Sequence, residues 1–156
     1  MHPSIEKSDL NDFHVGIEIP EHGVLLPWLI PESDLYQAIN RDHFSLSPAG
    51  WPLLRFTILG IDATFGFNFV TDPAERLLGV SYSDLDDQLM EERFSRWSLI
   101  LADHLPEPTY TEEKRQLWYD DKVVIDHWIS ESYFGMLDRT AHSHSLSISF
   151  RAAWPT

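Results

Sequence analysis

A chain of 156 residues with 25 acidic and 11 basic side chains carries a formal net charge of -14. A negative field of that size opposes binding to DNA, RNA and anionic membrane surfaces, and it speeds encounter with a basic partner. With no cysteine there is neither a disulfide nor a thiolate metal site, and six Trp, nine Phe and five Tyr argue against a disordered chain.

The length suits a single globular domain spanning 1–156. The segment MHPSIEKSDLNDF has acids early and no apolar core, so it does not read as a signal peptide. The longest apolar run, Val24–Ile30, is too short to cross a bilayer and contains Pro27. A soluble cytoplasmic protein is the expectation.

In chain order, Phe13, Val15, Ile17 and Ile19 alternate with His14, Gly16 and Glu18, the pattern of a half-buried strand ended by Pro20. The stretch EHGVLLPWLIP is broken by Pro27 and Pro31 and reads as a loop, with Leu25, Leu26 and Trp28 packed on the core. Glu32–Asn40 suits a short helix with Leu35, Tyr36 and Ile39 inward, and Arg41–Pro52 a connection. A hairpin follows. Leu54, Phe56 and Ile58 share one face of its first strand, Gly60 to Asp62 form the turn, and Ala63, Phe65, Phe67 and Phe69 share one face of the second. Asp72-Pro73-Ala74-Glu75 reads as the start of a short helix, with Gly79 as its stop.

The spacing of Met90, Phe94, Trp97, Leu101 and Leu105 predicts one long helix over 83–105. Ser83 and Asp86 would cap it, Asp84, Asp86 and Asp87 would suit its positive end, and Pro106 would end it. Leu85, Leu89, Leu99 and Ile100 would widen its apolar face. After the linker LPEPTYTEE, Lys114–Tyr119 and Lys122–Ser130 flank Asp120-Asp121 as a second hairpin. In the last strand His142, His144, Leu146, Ile148 and Phe150 take one parity, and Ser143, Ser145, Ser147 and Ser149 take the other, towards water. The fold class expected is α+β: an antiparallel sheet built from hairpins, with one long helix packed across one face.

The second hairpin carries the functional reading. With Asp120 and Asp121 as the two turn residues, Trp118 faces Val123 and Gln116 faces Ile125 on one side. Leu117 faces Val124 on the other, where Tyr119, Asp126 and Trp128 also lie. Both sides are then apolar or aromatic, although a sheet covered by one helix needs only one apolar face. The Val24–Ile30 loop, a second copy of the chain or a partner would have to cover the other. Trp118, Tyr119 and Trp128 would anchor a partner, and Asp120, Asp121 and Asp126 would meet its lysines or arginines.

Other constellations are weaker. His142-x-His144 could share a metal with Asp138 or His127, although these histidines begin a strand that enters the core. Asp126 and His127 are strand neighbours and point to opposite faces, so this Asp cannot orient this His. No nucleophile elbow and no glycine-rich phosphate loop occurs, and no catalytic residue or cofactor is assigned.

Size, the lack of cysteine, acidic excess and the aromatic-acidic ribbon WYDDKVVIDHW together resemble the small acidic immunity proteins that protect bacteria from their own toxins. That resemblance covers whole-chain properties and carries no residue pattern. It implies a cytoplasmic inhibitor that binds a cognate toxin or other basic protein without turnover. The alternative is a cone-like α+β small-ligand binder or enzyme, with Phe65, Phe67, Trp97 and His127 or His144 lining a pocket between sheet and helix. A homodimer through the second hairpin is a third expectation.

Overall fold

A computed structural model describes residues 7–70, 76–85, 90–134 and 139–151, with the backbone alone at 85, 131–134 and 139–142. The fold is α+β and mostly β. Its strands are β1 (Gly16–Ile19), β2 (Val24–Pro27), β3 (Ser45–Leu46), β4 (Pro52–Ile58), β5 (Ile61–Val70), β6 (Arg76–Leu85), β7 (Tyr110–Glu112), β8 (Arg115–Tyr119), β9 (Val123–Phe134) and β10 (Arg139–Phe150). Two helices, α1 (Glu32–Ala38) and α2 (Met90–His104), complete the described α and β elements. β1 and β2 form a small hairpin of their own; the other eight strands form one antiparallel sheet in the order β3-β4-β5-β6-β10-β9-β8-β7.

The first large hairpin forms as its alternation dictates. Ala63, Phe65, Phe67 and Phe69 of β5 are all buried, opposite buried Leu54, Phe56 and Ile58 of β4. The turn falls one residue earlier than expected: Ile58 pairs with Ile61, and Leu59 and Gly60 between them take positive φ values of 53° and 78°. A two-residue turn of that hand matches the twist of the flanking strands.

The expected helix over 83–105 is helical over Met90–His104, but its first residues, 83–85, are strand. Residues 76–85 form β6, and α2 begins only at Met90. In β6, Val80 pairs with Phe67 on one side and Ile148 on the other, a central position that only an extended segment can fill. The run LGVSYSD has a two-residue period, and the 3.6-residue reading of the flanking leucines masked it. Ser83 is therefore a strand residue and not a cap. The start of the short helix expected from Asp72 lies outside the described residues, but Gly79 does not stop a helix. It sits mid-strand, where an added Cβ would stand 2.6 Å from the Ile148 carbonyl oxygen and 2.9 Å from Ser149 Cβ. Gly79→Ala should therefore cost about 2 kcal/mol, as overpacking in a closed interior does. A fall in the urea midpoint at unchanged slope would show it, and an unchanged midpoint would mean the strands can part there.

Within α2, Met90, Trp97 and Leu101 are buried and Phe94 is partly so, against β5, β9 and β10; Leu105 follows, also buried. Leu99, expected to widen this face, is 72 % exposed. At the N-terminus, Leu10–Phe13 form a short 3-10 turn capped by Asp9, so the strand starts at Gly16 and Val15 is exposed. The expected loop at Val24 is strand β2, and its alternation buries Leu26 and exposes Leu25. Trp28 is buried and stacks on Phe150 with ring centroids 6.0 Å apart, which places the β1–β2 hairpin on the same side of the sheet as α2. α1 forms as expected, with Leu35 and Ile39 buried.

Candidate functional site

In the second hairpin Trp118 pairs with Ile125, Leu117 with Asp126 and Tyr119 with Val124. This register differs by two residues from that of a two-residue Asp120-Asp121 turn. The cause is Asp120. Its backbone N–H donates to the Val123 carbonyl, and its Oδ1 accepts the N–H groups of Lys122 and Val123, both at 2.8 Å, which closes a wider loop. A slip of two keeps every side chain on its expected face.

The six residues expected to bind a partner therefore separate. Trp118 is 2 % exposed, on the core side with Val123 and Ile125, and its indole N–H donates to the Pro106 carbonyl at 2.8 Å. It cannot anchor a contact on the folded protein. Tyr119, 39 % exposed, and half-buried Trp128 lie on the opposite, outer face. Asp121 is exposed in the turn. Asp120 and Asp126 already have partners. Asp120 Oδ2 meets His14 Nε2 at 2.5 Å. Burial alone would raise the Asp120 carboxyl, but the hydrogen bonds from His14 and the two turn amides outweigh it and hold it below the usual range. Asp126 accepts a bidentate bond from Arg115 at 3.0 and 2.8 Å.

On this outer face Leu117, Tyr119 and Val124 floor a cleft of about 330 Å³, rimmed by Arg115, Asp126 and Arg151. The Arg151 guanidinium lies 5.6 Å from the centre of the Tyr119 ring and donates to the Asp120 carbonyl at 3.1 Å. The rim thus mixes both signs, a feature the charge count alone did not reveal. Along β10 the serines take this same face. Ser143 bonds Ser130, and Ser145 donates to Ser83 at 3.2 Å, so part of the hydroxyl row is tied to its neighbours and Ser145 is buried.

A second constellation lies between α2 and the sheet. His127 and His144 are fully buried, with their Nε2 atoms 2.7 Å apart. Gln116 Oε1 accepts from His127 Nδ1–H at 3.0 Å, so His127 Nε2 is a lone pair and His144 Nε2–H donates to it. That leaves His144 Nδ1 as a buried acceptor with no hydrogen-bond partner. Phe94 stacks on His127 at 4.4 Å and Trp97 meets His144 edge-on at 4.6 Å. Burial, reinforced by His144, pushes His127 down to about 3. Burial and the nearby Arg93 push His144 down to about 4, partly offset by Asp84. Both rings are neutral near neutral pH.

The pocket reading needed Phe65, Phe67, Trp97 and a histidine around one space. Trp97, His127 and His144 do meet, but Phe94 fills the gap between helix and ring. Phe67 instead packs on Phe44 and Phe56. For the metal reading, His144 turns its Nε2 to His127; the side chain of His142, and Asp138, lie outside the described residues. Among the described residues no three His, Cys, Asp or Glu side chains converge as metal ligands. The inward parity of His127, shared with Val123 and Ile125, was the sequence signal for this buried pair.

No family model, curated protein or solved structure matches the chain.

Proposed function

We propose that this chain is a cytoplasmic binding protein that neutralises a cognate basic toxin or nuclease by occupying it, in the manner of an immunity protein. One observation carries the reading: an apolar and aromatic ribbon face, with Leu117, Tyr119, Val124 and Trp128, lies on the side of the sheet away from α2 and the β1–β2 hairpin, in a chain of net charge -14. Buried aromatic anchors supply affinity, whereas long-range charge sets the rate of encounter. Tyr119 and Trp128 would be the anchors, and Asp121 would meet a basic group. Among the described residues no helix is long and apolar enough to cross a membrane.

The test begins with the product of an adjoining reading frame, co-expressed with this chain and assayed for growth inhibition and its relief. Rapid-mixing measurements should then show association slowing about tenfold or more between low and physiological salt, as screening shortens the reach of surface charge. Trp128→Ala should speed dissociation about tenfold or more, and Asp121→Lys should slow association several-fold. Salt-independent association, or full protection by the double variant, overturns the reading.

A further inference from the structure

β9 is longer than the strand beside it. β8 ends at the pair Arg115–Trp128, and the last rung is the Ile129 N–H to Lys114 carbonyl bond at 2.9 Å. β10 continues to pair with β9 as far as Phe134, so Ser130–Phe134 stay extended. Among the described residues no strand lies on their other edge. Since Ile129 bonds towards β8, the backbone groups of Glu131 and Tyr133 turn the same way, into a vacant line that continues β8. The chain vacates that line by turning at Glu113 and Lys114 into β7.

Two clefts flank the mouth of this vacancy, one on each side of the sheet. On the outer side Glu112, Asp126 and Trp128 line about 300 Å³. On the α2 side Glu91, Phe94 and Glu113 line about 210 Å³. Lys114 and Ile129 belong to both, so the clefts meet at the strand edge. The surroundings are acidic. Glu91, Glu112 and Glu113 are exposed around Lys114, whose Nζ is 3.8 Å from Glu91. A strand added along an edge bonds through its main chain and sends alternate side chains to opposite faces, where pockets select them.

We propose that the free edge of β9 receives an extended segment of the basic partner as an added antiparallel strand, its lysines or arginines meeting this glutamate cluster. The idea rests on the basic-partner reading above and names how that partner docks. A second copy of this chain is the poorer occupant, because pairing edge to edge would bring the same glutamates together.

The probe is a blocked hexapeptide of alternating lysine and valine, (Lys-Val)3, titrated into the isotope-labelled protein and followed by amide shifts and hydrogen exchange. The expected result is shift and added protection at the Ile129, Glu131 and Tyr133 amides. (Lys-Pro)3, which keeps the charge but lacks alternate donors, and (Glu-Val)3 should bind at least tenfold more weakly. Tyr133→Pro removes one outward donor, a change that edge strands tolerate, and should lower (Lys-Val)3 affinity at least tenfold; Glu131→Pro is the second variant should the first fail to fold. Equal binding of (Lys-Pro)3, shifts centred on Tyr119 and Arg151, or dimerisation of the free protein lost in Tyr133→Pro each overturn the proposal. If Tyr133→Pro spares binding of the whole partner while Asp121→Lys weakens it, edge docking fails and the binder reading stands.

Discussion

Trp118→Ala should cost about 3–5 kcal/mol of folding stability, the usual range for truncating a buried large aromatic. The ring is sealed between Val123, Ile125 and the segment after α2, and its N–H holds the Pro106 carbonyl that begins the link to β7. Truncation opens a cavity and strands that carbonyl. Trp118→Phe, which keeps most of the packing and loses the hydrogen bond, should cost about 1–2 kcal/mol. Trp128→Ala, on the half-buried outer face, should cost about 1 kcal/mol or less. A domain of ordinary stability holds only about 5–15 kcal/mol in total, so the first variant should be partly unfolded at modest urea and the third should not. The contrast separates the ribbon's two tryptophans: one holds the fold, and only the other is free to hold a partner. Equal urea midpoints for the two alanine variants would refute that division.

Strand alternation was the legible part of this chain. The faces of β5, β8, β9 and β10 follow from a two-residue period, and they hold even where the hairpin register slips by two, because a slip of two preserves parity. Local polar chemistry decided what the period could not. The Asp120 carboxylate sets the loop length, and Ser83, whose spacing to Asp86 in the sequence imitates a helix cap, lies in a strand. β6 was misread for a physical reason. A central strand of small residues, with Gly79, Ser81 and Ser83 on one face, shows little hydrophobic contrast, and the close approach of the β10 backbone that explains Gly79 is a tertiary fact. The candidate site was legible as a two-sided aromatic ribbon. Its pairing of Asp126 with Arg115 and of Asp120 with His14 was not, because both depend on which residues the register and the N-terminal turn bring alongside.

The histidine pair should make the protein acid-sensitive well above the pH at which carboxylates titrate. Unfolded, each imidazole has its ordinary value near 6.5; folded, burial holds His127 at about 3 and His144 at about 4. As pH falls below about 6.5 the unfolded chain takes up two protons that the folded chain refuses. The stabilisation from keeping both rings neutral is therefore complete above that pH and is lost on the way down to 3–4. By pH 5 the loss should be about 2 kcal/mol for each ring. The geometry agrees with the sign. With Nε2 atoms 2.7 Å apart and Arg93 nearby, a first proton already meets a positive neighbour, and a second would set two cations in contact. Urea unfolding at pH 7 and pH 5 measures the effect directly. The double variant His127→Leu with His144→Leu should flatten the pH dependence, since the refused protons are gone in both states. Raising the salt should leave the wild-type slope nearly intact, because the penalty comes from burial, whereas any contribution from surface charge would shrink. A wild-type midpoint that does not move between pH 7 and 5 would mean that water reaches the rings, and that the stack of Phe94 and Trp97 over them is not closed.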